Sequence, residues 1–276
     1  MTKPTDDDRR PQTQQGYSAR WASHDESPTR QRIRREVYGD DYPVEADPRS
    51  YVTLTELRAI ARDLQVGPGQ TLIDLGCGQG GPSLWVARET GAALLGVDLS
   101  SVGIARAGER AADLGFGDHA HFQVGDVTVT GLADASFDGA MSVDVLWAVP
   151  DKLGALREAA RVLKPGARFA FTTWDRDRTP PGYPPPVPDH RPLLEHAGFE
   201  IETYQVQPQA EAKRRAVYEA IVGAEQDLVT EMGEEAAARL MFEAKGTLGL
   251  TDGVDYLAHS RRIYVVARTS TSATPR

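Results

Sequence analysis

The 276-residue sequence contains a single cysteine, Cys77. One thiol excludes an internal disulfide framework and a cysteine-based zinc cluster, and it suits a reducing cytosol. No apolar run approaches the roughly 20 residues needed to cross a bilayer. The opening stretch MTKPTDDDRRPQTQQG has no apolar segment of the signal-peptide kind. Positive charge is in deficit, with 31 Lys and Arg against 40 Asp and Glu and a net charge of -9. A nucleic-acid groove or an anionic membrane surface would need clustered Lys and Arg, so neither partner is expected. The same balance favours a neutral or cationic small molecule over a phosphorylated one. Internal repeats are missing too. Together these absences predict a soluble cytoplasmic protein, a monomer or a homodimer.

What is present is ordinary globular usage, 40% apolar and 26% charged, enough for a real core. Residues 1–16 are polar and Pro/Gln-rich and are expected to be disordered. Residues 17–52 mix aromatics with charges and read as short helices and turns lying over something, a lid. From residue 53 to 268 one α/β domain is expected. Thr53 and Glu56 form a capping-box pattern ahead of a helix with Leu54, Leu57, Ile60, Ala61 and Leu64 on one face. Strands then alternate with helices: TLIDLG, PSLWVARETG, ALLGVDLS, SVGIARAGERAADLG, AHFQVGD, FDGAMSV, DKLGALREAARVLKPG and RFAFTTW. Pro82 is placed at a helix start, Gly91 just past its end, and Asp151 as an N-cap. Strands separated by such helices mean a parallel sheet covered on both faces. The Pro-rich stretch 175–189 is a stiff loop. Residues 209–246 are Ala/Glu-rich and read as two inserted helices between FEIETYQV and the last strand, RRIYVVAR. The tail 269–276 is expected to be disordered.

Four glycines crowd into residues 76–81 directly after the first strand. Such a loop lets the backbone approach a ligand, with the next helix aiming its N-terminus at it. Gly76, Gly78 and Gly81 satisfy GxGxxG, so a nicotinamide-dependent oxidoreductase has to be weighed. Asp74, two residues earlier, suits an ammonium group near the loop and would repel a pyrophosphate. Asp98 ends the second strand, where a carboxylate can accept both ribose hydroxyls, and Asp126 ends the third, within reach of an adenine amino group. No Tyr is followed four residues later by Lys, which removes the usual short-chain dehydrogenase acid.

As a set, LIDLGCGQGG, GVDLS, VGDVT, FDGAMSVDVLWAVPD and LKPGARFAFTTW resemble the class I S-adenosylmethionine-dependent methyltransferases, of the small-molecule, natural-product kind. The resemblance implies a Rossmann-like sheet of seven strands whose last strand is antiparallel and lies between the fifth and sixth. It implies S-adenosylmethionine as cofactor and a small-molecule methyl acceptor reacting at O, N or C. Gly76 and Gly78 would line the methionine half, with Cys77 between them. Asp98 would hold the ribose beside Leu99, Asp126 and Val127 would contact adenine, and Ser142 would lie beside the cofactor. An S-adenosylmethionine-binding protein without methyl transfer is the other alternative to be weighed.

Ligands of open α/β sheets lie beyond the carboxyl ends of the strands. Asp144, Trp147, Trp174, Tyr183 and His190 follow strands four and five, and Tyr256 and His259 precede the reversed last strand. Tyr17, Trp21, Tyr38 and Tyr42 would close the site as lid residues. His190 and His259 are the candidate general bases should the acceptor have to lose a proton, while His119 and His121 lie at the opposite edge and read as structural. No acidic metal cluster falls at the crevice, so no metal is expected.

Overall fold

Along the first strand, β1 (Thr71–Leu75), neighbouring side chains leave on opposite faces. Leu72 enters one apolar layer, whereas Ile73 and Leu75 enter the other. That near-continuous apolar run marks a strand covered on both faces. The computed structural model describes residues 27–271, and β1 is an interior strand of its seven-stranded sheet. The remaining strands are β2 (Ala93–Asp98), β3 (Ala120–Val124), β4 (Phe137–Val143), β5 (Leu163–Arg176), β6 (Phe199–Val206) and β7 (Ser260–Thr269). Their order is β3-β2-β1-β4-β5-β7-β6. β1 to β5 pair in parallel, and β7 runs antiparallel to both β5 and β6. The order reverses at β1, where one connection runs to β2 and the other reaches β4, and a crevice opens there at the carboxyl ends.

Nine α-helices accompany the sheet among the described residues. α1 (Pro28–Tyr38) precedes the sheet, and α2 (Leu54–Leu64) and α3 (Gly81–Thr90) cover the face that carries Leu72. α4 (Ser101–Asp113) joins β2 to β3, α5 (Lys152–Val162) covers the opposite face, and α6 (Arg191–His196) leads into β6. α7 (Ala210–Gly223), α8 (Glu225–Met232) and α9 (Glu234–Thr247) fill the insertion before β7. The capping box of α2 is formed in both directions: Glu56 N–H donates to Thr53 Oγ1 at 3.1 Å and Thr53 N–H to Glu56 Oε2 at 2.9 Å. Asp151 caps α5 by accepting from Gly154 N–H at 2.8 Å.

Four differences from the sequence reading have local causes. The helix expected to run to Gly166 stops at Val162, because Leu163 pairs with Phe137 and begins β5. The insertion holds three helices rather than two, since Gly233 (φ 81°, ψ 159°) breaks the second. Pro82 stands one residue inside α3, behind Gly81. The short α6, between the Pro-rich loop and β6, was not foreseen. A third apolar cluster joins Ile33 of α1 to Val217, Tyr218, Ile221, Leu240 and Met241 of the insertion. The N-terminal segment and the insertion therefore form one cap over the crevice.

Candidate active site

Beyond Leu75 the chain turns through Gly76, Gly78 and Gly80 with φ of 89°, 54° and 73°, a region that side-chain-bearing residues seldom enter. The N–H groups of Gly76 and Cys77 donate to the Val97 carbonyl at 2.7 and 3.1 Å, stitching the loop to β2. A Cβ on Gly76 would lie 2.5 Å from the Val145 side chain, and one on Gly81 only 2.0 Å from the Ala46 carbonyl oxygen. These two glycines are demanded by packing within the protein itself, so the GxGxxG spacing reports more than approach to a ligand.

Asp74 points from β1 into the crevice and is only 2% exposed. Its Oδ1 has no hydrogen-bond partner. Burial pushes its pKa up to about 7, a hydrogen bond from Ser83 pulls it down, and the nearby Asp98 charge pushes it up further. A buried, unpaired carboxylate oxygen is costly unless a cationic or hydrogen-bonding group meets it. Asp98 is also raised by burial, against two bonds that favour its charged form: Ser100 N–H donates to Oδ1 and Gly78 N–H to Oδ2, each at 2.8 Å. These bonds fix the carboxylate plane and leave acceptor capacity on both oxygens. Asp126 is oriented by the N–H and hydroxyl of Thr128, both 2.8 Å from Oδ1.

One cavity of about 440 Å³ takes in Asp74, Gly76, Cys77, Gly78, Asp98, Leu99, Asp126 and Val127. Three carboxylates from three successive strands thus face the space beside the glycine loop. Together they set a row of hydrogen-bond acceptors along one wall of the cavity. Ser142 does not line this cavity; its hydroxyl donates to the Leu75 carbonyl at 2.7 Å and holds β4 against the end of β1. The cavity continues past the glycine loop and the three acids to Tyr51, Trp147, Tyr218, Leu240 and Glu243. Tyr51, Tyr218, Leu240 and Glu243 escaped the sequence reading. They carry no motif, and Tyr218 and Leu240 look like any apolar position of an amphipathic helix.

Several expected acceptor-side residues lie elsewhere. Trp147 is in the cavity wall, its indole N–H held by the Asp144 carbonyl at 2.8 Å. Trp174 is core, 2% exposed and edge-on to Tyr51. Tyr42 is buried with its hydroxyl on Asp47, and Tyr256 is outside the cavity, bonded to Asp252. Tyr17 and Trp21 fall outside the described residues. The placement of the histidines at the mouth needs correcting. His190 is 0% exposed, with Nδ1 2.7 Å from Asp175 Oδ1 and its backbone N–H on the Tyr204 hydroxyl. It locks the Pro-rich loop to β5. His259 is 34% exposed on the outside, its Nδ1 2.8 Å from Asp177 Oδ1. Among the described residues, no histidine lines the cavity.

Asp144, in the left-handed region at φ 55°, belongs to a buried ionic network. Arg262 of β7 reaches its Oδ1 at 3.0 Å and also pairs with Glu56, and Tyr51 N–H donates to Oδ2 at 2.9 Å. This ties β4, β7, α2 and the N-terminal segment together at the cavity edge. No group of three or more His, Cys, Asp or Glu side chains placed to hold a metal occurs among the described residues. No helix among them is long and apolar enough to cross a membrane.

Residues 73–171 match a family described as methyltransferase domain. Methyltransferase GfsG of Streptomyces halstedii is 34% identical over 129 residues, 47% of this chain and 46% of that protein. A probable chloroplastic tocopherol O-methyltransferase of Oryza sativa subsp. japonica is 36% identical over 136 residues, 49% of this chain and 37% of that protein. The matched part spans less than half the length of either relative. In fold, the crystal structure of the [4+2]-cyclase SpnF superposes with a TM-score of 0.70 at 22% identity, over 94% of this chain and 97% of that one. The nicotinamide alternative finds no support in these relatives. The strand order, the glycine loop and the three acids at their strand ends thus accompany a match to the methyltransferase-domain family across residues 73–171.

Proposed function

We propose that the protein moves the methyl group of S-adenosylmethionine to an O, N or C atom of a small molecule, in secondary metabolism. The observation that carries this reading is the single cavity in which the cofactor-side acids and glycines run on into an aromatic chamber roofed by the insertion. On the same reading the protein acts in the cytoplasm, as a monomer or homodimer, without nucleic acid or membrane. Its net charge of -9 supports that part.

Bound S-adenosylmethionine supplies a methyl group already activated by a positively charged sulfur. The chain's own part is to bind, align and exclude water. Alignment of two reactants can contribute about 7–11 kcal/mol. Asp74 would face the ammonium group, Asp98 the ribose hydroxyls, and Asp126 with Val127 the adenine. Trp147, Tyr51 and Tyr218 would wall the acceptor. His190 is buried on Asp175 and His259 lies outside the cavity on Asp177, which supports in-line alignment of an already nucleophilic atom over a histidine base. The test is a screen of amine, phenol and indole acceptors with labelled S-adenosylmethionine, following S-adenosylhomocysteine and labelled product together. Tight cofactor binding with no transfer to any acceptor would favour a binding protein instead.

A further inference from the structure

Where the cavity ends at Trp147 and Glu243, a smaller chamber of about 10 Å³ begins, with Arg176, Tyr183, Arg214 and Tyr256 among its walls. Arg176 ends β5 and is 7% exposed, and Arg214 projects from α7 and is 6% exposed. The Arg176 guanidinium lies 4.7 Å over the Trp147 ring, and that of Arg214 lies 4.7 Å over the Trp174 ring. Such stacking recovers only part of what a desolvated cation loses. The hydrogen-bonding inventory is incomplete as well: Arg176 Nε and Nη2 and Arg214 Nε have no partner. Arg214 Nη2 donates to the Tyr218 hydroxyl at 3.2 Å, but no carboxylate among the described residues forms an ion pair with either arginine. Asp144 is held by Arg262, and Glu243 accepts from Tyr218 at 2.9 Å. Two buried cations therefore face one chamber; burial and Arg214 together bring Arg176 down to about 9, whereas Arg214, against its own burial, is held charged by Tyr218, Tyr51 and Glu243.

We propose that Arg176 and Arg214 form a subsite for a carboxylate group of the methyl acceptor, a reading that rests on the acceptor occupying the cavity described above. A guanidinium presents two parallel N–H donors that match a carboxylate, and its strength there is that of a charge-assisted pair. The chamber has room for about one water, so a planar carboxylate displaces less of its wall than a tetrahedral phosphate would. The Trp147 ring, fixed by Asp144, would separate the anchored end of the acceptor from the end that meets the methyl group. This reverses, locally, what the acidic balance of the whole chain suggests.

The test uses the full chain saturated with S-adenosylhomocysteine and three phenyl probes that differ in head group: benzoate, benzamide and phenyl phosphate. Calorimetric titration should show benzoate binding at least about tenfold more tightly than benzamide. Arg176→Gln should abolish that preference while leaving the affinity for S-adenosylhomocysteine within about twofold. Should that variant not fold, Arg176→Lys keeps the charge without the fork and must reduce the preference. Equal binding, or no binding, of benzoate and benzamide by the wild type would overturn the subsite, as would a preference that survives both variants. Phenyl phosphate binding more tightly than benzoate would overturn the assignment to a carboxylate. Methyl transfer is read separately, from S-adenosylhomocysteine formed in the acceptor screen, so loss of the subsite and loss of the transfer reading cannot be confused.

Discussion

Two carboxylates beside the glycine loop differ in how their charge is supported, and that difference is measurable. Asp98 receives two backbone N–H bonds. It is expected to stay ionised on cofactor binding, and on the proposed reading its remaining acceptor capacity would go to the ribose. Removing two charge-assisted bonds of roughly 1.5–3 kcal/mol each should weaken S-adenosylmethionine by about a hundredfold or more in Asp98→Ala. Calorimetry on a folded variant decides it; an affinity within a few-fold of wild type removes Asp98 from the site. Asp74 has an unpartnered oxygen and a pKa pushed up to about 7 by burial. A carboxyl raised in the folded state binds its proton more tightly there than in the unfolded chain. Its contribution to stability is therefore full below the ordinary carboxyl range and lost as pH rises through about 7. The ligand-free protein should then melt lower at about pH 8 than at about pH 5.5, and Asp74→Asn should flatten that slope. Cofactor affinity should move the opposite way, because only the ionised carboxylate attracts an ammonium group. From about pH 5.5 to about pH 7.5 it should rise roughly tenfold in wild type and stay nearly level in Asp74→Asn. A level wild-type affinity would mean that Asp74 does not face the ammonium.

Between elements, the strongest local tie is the one joining Arg262, Asp144 and Glu56. Arg262 is 1% exposed and sits on β7, the strand that runs against its neighbours. Removing one member of a buried pair leaves an uncompensated charge, typically about 3–5 kcal/mol. Arg262→Met leaves two buried carboxylates facing each other and should lose stability on that order, read from the denaturation midpoint. Removing all three charges, with Asp144→Asn and Glu56→Gln added, should recover much of the loss. If the triple change is as damaging as the single one, the network is held by packing rather than by charge. None of this was visible in the sequence, where residues 56, 144 and 262 share no spacing. What the sequence does display is whatever depends on local periodicity or on loop chemistry: the seven strands, the capping box, and acids standing at strand ends. Placement across the chain is another matter. His190 and His259 flank the right strand ends, yet Asp175 and Asp177 turn one into a core pin and the other outward. A sequence gives the end of the strand on which a residue sits and says nothing about which neighbour claims its side chain.

At the scale of the whole molecule, the sheet is one body and the cap another. The two apolar layers of the sheet draw mainly on residues from α2 to β7, joined by Ala46 and Val52, whereas the third cluster joins α1 to α7, α8 and α9. Chain regions separated by about 180 residues of sequence are thus packed on each other over the cavity. Many contacts between the bodies are polar: Tyr51 N–H on Asp144, Arg262 N–H on Glu211 at 3.0 Å, Thr55 N–H on Asp41 and Arg110 on the Glu45 carbonyl, while Ala46 and Val52 reach into the apolar layer of the sheet. An element with its own core and a largely polar seam can open as a unit at a lower cost than global unfolding. Residues 28–52 and 210–247 are therefore expected to respond to the cofactor together. Hydrogen exchange with and without S-adenosylhomocysteine should show protection gained in both stretches by about the same factor, because opening either breaks the cluster around Ile33 and Tyr218. The central strands should already be slow in both states. Replacing Ile33 with Ala leaves the cavity wall untouched and removes a buried contact worth about 2–5 kcal/mol. It should accelerate exchange in α7 and α9 as well as in α1, and slow strands should stay slow. If protection appears in residues 28–52 alone, or if Ile33→Ala loosens α1 without the insertion, the N-terminal segment is an independent lid and the shared cluster does not couple the two.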